Sequence, residues 1–280
     1  AAAKEGWAVS LYEKNEKLGK KIFITGKGRC NVTNAGDMDE LFAAVITNKK
    51  FMFSSFYGFT NEDMMQFLED AGLRLKTERG KRVFPLSDHS SDVIAALERT
   101  LKKENVKVYL RKEVKGLNFI IENVVSRIKM FFAELKAQNN AVLEQIKADL
   151  EENGKKTAVD ADCVIVATGG MSYPSTGSTG DGYQWAQAAG LKVTALSPAL
   201  VPFETAELET VKSLQGLSLK NVEATVSNGK KELYRDFGEM LFTHFGVSGP
   251  MILSASRHLL NRFDEDITLY IDMKPALDIK

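Results

Sequence analysis

The run from Cys163 to Gly182, CVIVATGGMSYPSTGSTGDG, constrains the fold more than any other part of the chain. Its start is apolar and β-branched, and Val164, Ile165 and Val166 suit a parallel strand buried on both faces. Glycines follow at 169, 170, 177, 180 and 182, with hydroxyl side chains between them. Backbone this bare can lie directly against a ligand, and in an open α/β sheet ligands sit at the carboxyl ends of the strands. The plainer alternative is a strand followed by a glycine-rich loop that binds nothing.

At 280 residues the chain has room for about two domains, and 44% hydrophobic content lets it build real cores. Its 37 basic and 37 acidic residues cancel, so no global field favours nucleic acid or an anionic membrane. Neither is expected as a partner. Cys30 and Cys163 are too few for a disulfide framework or a zinc cluster, and three scattered histidines add no metal site. No apolar run approaches the roughly 18 to 20 residues that span a bilayer. The opening AAAKEGWAVSLYEKN lacks the layout of a signal peptide. The expected location is the cytoplasm.

Trp7 to Tyr12 reads as a short strand, and Glu13 stands at its end, where a dinucleotide-binding fold keeps an acid for the ribose hydroxyls of an adenosine. Ala1 to Glu5 then reads as the last turn of a helix, with Gly6 as its stop. Between Leu18 and Asn34, LGKKIFITGKGRCNVTN gathers glycines with Lys20, Lys21, Lys27 and Arg29. Cations beside glycines that expose backbone N–H groups suit phosphates, as in an anion-binding nest; a solvated basic loop is the bland reading. Cys30 has no CxxC partner and reads more readily as a small packing residue. Two amphipathic helices are expected, Asn61 to Leu73 and Ser91 to Lys103, the second capped by Ser90 or Ser91. Asn118 to Asn153 carries a long helical pattern through Val124, Ile128, Phe131, Phe132, Leu135, Val142, Leu143, Ile146 and Leu150, with Asn139 and Asn140 as a break. Its apolar side packs on its own domain or on a partner, so self-association through 118–153 stays open. Beyond Ala195 the pieces are short and β-leaning, such as Val222 to Val226 and Ile267 to Ile271.

Glu13, GKGRCNVTN (26–34), RVFP (82–85), ATGGMSYPSTGSTGDG (167–182), PALVPF (198–203) and GEMLFTHFGVSGP (238–250) stand in an order and spacing that closely resemble the BaiN-like, or aminoacetone-oxidase-like, FAD/NAD(P)-dependent flavoproteins. The resemblance implies an α/β fold: a Rossmann-like FAD-binding domain over 1–195, incomplete and with a helical insertion at 118–153, and an inserted β-rich substrate or cap domain over 196–280. It places Glu13 on the adenosine ribose of FAD. Gly26, Gly28, Arg29, Cys30 and Asn31 fall beside the pyrophosphate and flavin, and the turn near Val114 at the adenine edge. Ala167, Thr168 and Gly169 fall at the cofactor's middle, with Thr179, Gly180 and Asp181 in the loop facing the flavin.

In that family the first strand, its glycine turn and a closing segment complete the site, and the matching parts would lie outside residues 1–280, so weak FAD binding by these residues alone is expected. The implied function is an FAD-dependent oxidoreductase that transfers hydride between NAD(P)H and a small organic substrate. His244 is the best titratable candidate for contact with substrate or flavin. The competing reading is a non-catalytic flavin- or nucleotide-binding module, or an inactive fragment, that acts through a partner.

Overall fold

The computed structural model describes residues 1–120, 145–152, 154–229, 231–259, 262 and 265–275. It forms two compact units, Ala1–Val193 and Thr194–Lys280.

The first unit opens with a single 3-10 turn, Ala2–Glu5, which Gly6 ends in the left-handed region at φ 87°. Strand β1 (Ser10–Glu13) follows. Helix α1 (Lys20–Ile24), strand β2 (Thr33–Asn34) and helices α2 (Met38–Ala43) and α3 (Phe53–Gly58) lead to α4 (Asn61–Asp70). Thr60 and Asp63 close a reciprocal capping box at the start of α4, which satisfies backbone donors that the helix itself cannot. Strands β3 (Leu75–Glu78) and β4 (Arg82–Pro85) form an antiparallel sheet with β2, in the order β2-β4-β3. Helix α5 (Ser90–Lys103) then returns the chain to β5 (Lys107–Leu110), which pairs parallel with β1 from Ser10↔Lys107 to Glu13↔Leu110. The link is a helical crossover, the usual way for a chain to bring two parallel strands side by side.

The crossover is held by its own core. Leu68 of α4, Val93 and Ala96 of α5, Leu73 and Cys30 are buried together. Full burial of a leucine or valine stabilises by roughly 1.5–3 kcal/mol, so the amphipathic faces of α4 and α5 dominate this part of the fold. Helix α5 begins at Ser90 with His89 in the cap position, not Ser90 or Ser91 as the sequence suggests. The Ser90 hydroxyl instead donates to the Phe23 carbonyl at 2.9 Å and pins α5 to α1.

Two expectations are corrected. The helical reading of 118–153 fails where it can be seen: β6 (Glu113–Ile120), β7 (Gln145–Glu152) and β8 (Lys155–Ala161) make an antiparallel meander. Ile146, Ala148 and Leu150 alternate with polar residues, a period of two, and Ala148 and Leu150 are buried. The rest of that reading, 121–144 with its Asn139-Asn140 break, lies outside the described residues. The buried strand expected at Val164 to Val166 is not formed, and Ile165 and Val166 are 80% and 46% exposed. A parallel strand needs a neighbour's edge to pair with, and among the described residues β1 and β5 pair with each other while 164–166 pairs with neither. The unit ends with α6 (Asp181–Ala188).

The second unit is an antiparallel sheet. Its strands are β9 (Phe203–Glu204), β10 (Ser218–Ser227), β11 (Glu232–Phe242), β12 (Gly246–Ser248) and β13 (Thr268–Asp272), ordered β13-β10-β11-β12-β9. The short helix α7 (Leu208–Ser213) leads into β10. Val222, Ala224 and Val226 alternate on one face of β10. They pack under α8 (Pro250–Ser256), which buries Met251, Ile252 and Ala255. Among the described residues, no helix in either unit is long and apolar enough to cross a membrane.

Candidate functional site

The polar run after β1 meets the glycine loop across more than 150 residues of sequence. Lys14 Nζ lies 3.0 Å from Asp181 Oδ2 and 2.7 Å from Thr179 Oγ1, and Thr179 also donates to Asp181 at 3.0 Å. Asn15 Nδ2 donates both to Glu13 Oε1, at 2.7 Å, and to the Thr176 carbonyl, at 3.1 Å. The Asn15 backbone N–H adds a second bond to the same Glu13 oxygen at 2.8 Å. The carboxylate at the strand end is therefore oriented by its own chain, and the loop is docked beside it. Burial pushes the Asp181 carboxyl up, but hydrogen bonds from Lys14 and Thr179 outweigh it, and the net effect is a lowered pKa.

The loop can approach this closely because it lacks side chains. Gly177 is left-handed at φ 100°, and a Cβ there would stand 2.9 Å from Asn15 Nδ2 and 3.1 Å from Lys14 Cε. Gly169 is also left-handed, with space for a Cβ closed off by Ser178 Oγ at 2.9 Å. The Thr168 hydroxyl accepts from the Gly182 N–H at 3.2 Å, so the segment Ala167 to Gly169 is tied to the first turn of α6. Gly180, left-handed at φ 85°, occupies the cap position of that helix. A third strand of contact comes from α1: Lys21 Nζ donates to the Ser172 carbonyl at 2.5 Å and to its hydroxyl at 2.9 Å.

The loop after α1 is backbone-shaped in a different way. Gly26 and Lys27 are both left-handed, and Gly28 follows at φ 85°. The expected cations do not all remain available for phosphate. Lys20 pairs with Glu16 at 2.8 Å. The Arg29 guanidinium reaches Glu78 and Asp88, each at 2.5 Å, and lies 4.1 Å from the Phe84 ring centre. Lys76 joins the cluster through Asp88 at 2.6 Å. Hydrogen bonds from Lys76 and then Arg29 lower the Asp88 pKa, and Arg29 does the same for Glu78. Lys27 makes no ion pair among the described residues. Cys30 is buried in the α4/α5 core; burial pushes its thiol up against a weaker opposing bond with Thr25. Its side chain therefore faces packing, and a ligand would meet its backbone. After the amide is turned to match its surroundings, Asn31 donates to the Val83 and Thr33 carbonyls at 3.0 and 2.8 Å.

Val114 lies in β6 opposite Leu150, next to a bulge. The preceding turn is tied to the end of β1 through the Arg111 N–H to the Asn15 carbonyl and the Lys112 N–H to the Glu13 carbonyl, both 3.0 Å. His244 is exposed in the second unit, in the turn between β11 and β12, its ring edge-on to Phe245 at 4.9 Å. Lys14, Asn15 and Ser172 were not anticipated from the sequence. The available signal was the unbroken polar run Glu13-Lys14-Asn15 at a strand end.

An acid fixed at a strand terminus, bare backbone beside it, and lysines around the rim form a surface suited to a long, partly anionic ligand. A family model described as the HI0933-like protein Rossmann domain matches residues 1–252. The 3-dehydro-bile acid delta(4,6)-reductase of Clostridium scindens is 29% identical over 99% of this chain and 61% of its own length. The ribosomal RNA dihydrouridine synthase of Haemophilus influenzae is 30% identical over 99% of this chain and, again, 61% of its own. The chain thus spans about three fifths of these curated relatives. The solved open conformation of a flavocytochrome c3 fumarate reductase aligns with a TM-score of 0.42 at 17% identity, over 79% of this chain and 44% of that one. With the family match running through most of its length, the chain belongs to the HI0933-like Rossmann-domain family.

Proposed function

We propose that the protein is an FAD-dependent oxidoreductase that takes hydride from NAD(P)H and delivers it to a carbon–carbon double bond conjugated to a carbonyl. The observation that carries the cofactor reading is the convergence of Glu13, Lys14 and Asn15 with the glycine loop. The residues fit FAD by their chemistry. The Glu13 carboxylate, oriented by Asn15, would accept hydrogen bonds from ribose hydroxyls, and the left-handed Gly177 lets the glycine loop dock against Lys14 and Asn15 beside it. The ionised Asp181 is held by Lys14 and Thr179 at the start of α6. The left-handed turn at Gly26 and Lys27, with the free charge of Lys27, suits a phosphate. Bound FAD supplies the hydride chemistry, and the chain supplies binding, orientation and electrostatics.

The substrate class rests on the relatives. Both names, a delta(4,6)-reductase of a 3-dehydro bile acid and a dihydrouridine synthase, denote saturation of a double bond conjugated to a carbonyl. The test is NAD(P)H oxidation by the FAD-loaded protein with 2-cyclohexenone, a bile-acid dienone and uridine as acceptors. Acceptor-dependent oxidation above the rate with oxygen alone is expected for at least one. No acceptor-dependent rate with any of them would refute the reading.

A further inference from the structure

We propose that the aromatic surface of α2 and α3 is a two-fold interface on which a second copy of this chain docks. Between Met38 and Gly58 lie the two helices and a 3-10 turn (Lys49–Met52), and none of the three buries a single residue. The segment is nevertheless rich in rings. Phe42 of α2 gathers three of them from α3: Phe53 edge-on at 4.7 Å, Phe56 at 5.1 Å and Tyr57 at 5.7 Å. Aromatic side chains usually dominate a core, yet Phe53 and Tyr57 are 44% and 66% exposed here, and Phe51 in the turn is 81% exposed. The rings pack on one another and leave their outer side to water.

The open area has the size of half an interface core. At roughly 150–250 Å² for a whole aromatic side chain, Phe51, Phe53 and Tyr57 leave roughly 300–500 Å² open on each copy. Two such patches face to face supply roughly 600–1,000 Å², close to the apolar share of an interface of about 1,200–2,000 Å².

The charges around the rings select the partner. Asp37 is used as the cap of α2, and Glu40 pairs with Lys81 at 2.5 Å. That leaves Asp39, exposed in the first turn of α2, and Lys49 and Lys50, exposed in the turn beyond its other end. Among the described residues none of these three forms an ion pair. A two-fold interface brings the same patch to both sides, so each kind of contact is made twice. A patch with an acid at one end and two cations at the other is complementary to itself when turned over: Asp39 of one copy meets Lys49 and Lys50 of the other. The 37 basic and 37 acidic residues of the chain cancel, so no long-range repulsion holds two copies apart.

Sedimentation equilibrium of the purified protein tests this without any cofactor or substrate. The wild type is expected to pass from monomer to dimer as its concentration rises through the micromolar range. Phe51→Asp is expected to raise the dissociation constant at least about tenfold, the effect of losing a central aromatic anchor. Its melting temperature at monomeric concentration is expected to match wild type, because Phe51 is hardly packed within its own chain. The double variant Lys49→Glu/Lys50→Glu and the single variant Asp39→Lys are each expected to dimerise weakly alone and to recover when mixed in equal amounts, since each then offers the charge that the other needs. Unspecific apolar adhesion would show no such recovery. A wild type still monomeric at roughly 100 μM, well above the weak end for interfaces of this area, would overturn the proposal. So would a dimer that Phe51→Asp leaves intact, or charge variants that fail to recover on mixing.

Discussion

Replacing Gly177 by alanine tests how the glycine loop is docked on the end of β1, and Gly154→Ala is its internal control. Both glycines are left-handed, at φ 100° and 78°. Alanine pays roughly 1–2 kcal/mol for that conformation at either site. They differ in what surrounds them. A Cβ at Gly154, in the turn between β7 and β8, meets nothing within 4 Å, whereas at Gly177 it meets Asn15 Nδ2 at 2.9 Å and Lys14 Cε at 3.1 Å. The Asn15 amide must move, which gives up its bonds to Glu13 and to the Thr176 carbonyl. At about 0.5–1.5 kcal/mol each, those losses bring Gly177→Ala to about 2–5 kcal/mol, against about 1–2 kcal/mol for Gly154→Ala. Urea unfolding followed by tryptophan fluorescence measures this cleanly. Both tryptophans, Trp7 and Trp185, lie in the first unit, so the signal is blind to the second. Equal destabilisation by the two substitutions would show that Asn15 holds no docked loop.

Two further outcomes follow from charge and burial. An uncharged thiol reagent should modify exposed Cys163 within minutes while buried Cys30 reacts at the rate of local opening, as read by mass spectrometry; equal rates would contradict the packed α4/α5 core. Asp88, Glu78 and Asp181 all have lowered pKa values in the fold. Their stabilising contribution is complete above the unfolded carboxylate range, about 4, and is lost as pH falls through the folded values. First-unit stability should therefore hold from pH 7 to about 5 and drop below about 4, with a shallower drop in Asp88→Asn; an unchanged slope in that variant would rule out the ion cluster as a source.

The parts of the fold legible in the sequence were those written in local periodicity. Helices α4 and α5 follow from apolar residues at helical intervals, and the strand ending in Glu13 from its short apolar run. The segment 145–152 was misread because Ile146 and Leu150 are four apart, which satisfies a helix as well as every second place of a strand; Ala148 between them was the deciding residue. Val164 to Val166 shows the opposite failure. Strand propensity was present, but a strand also needs a pairing edge, and no composition reveals that. At the site, the glycine loop could be read from its residues, yet the partners that shape it could not. Arg29 was counted as a phosphate ligand, while Glu78 and Asp88, 49 and 59 residues away, absorb its charge. Lys14 and Asp181 lie 167 apart and meet through the fold alone.

The Arg29 cluster also bears on how a ligand would be received. With its guanidinium bonded to two carboxylates and laid over Phe84, the left-handed turn at Gly26 and Lys27 is bolted to the sheet of β3 and β4 before any ligand arrives. Binding to such a surface spends little free energy on ordering the chain. That turn behaves as a mould of fixed shape, so discrimination there works by fit on arrival rather than by closure afterwards.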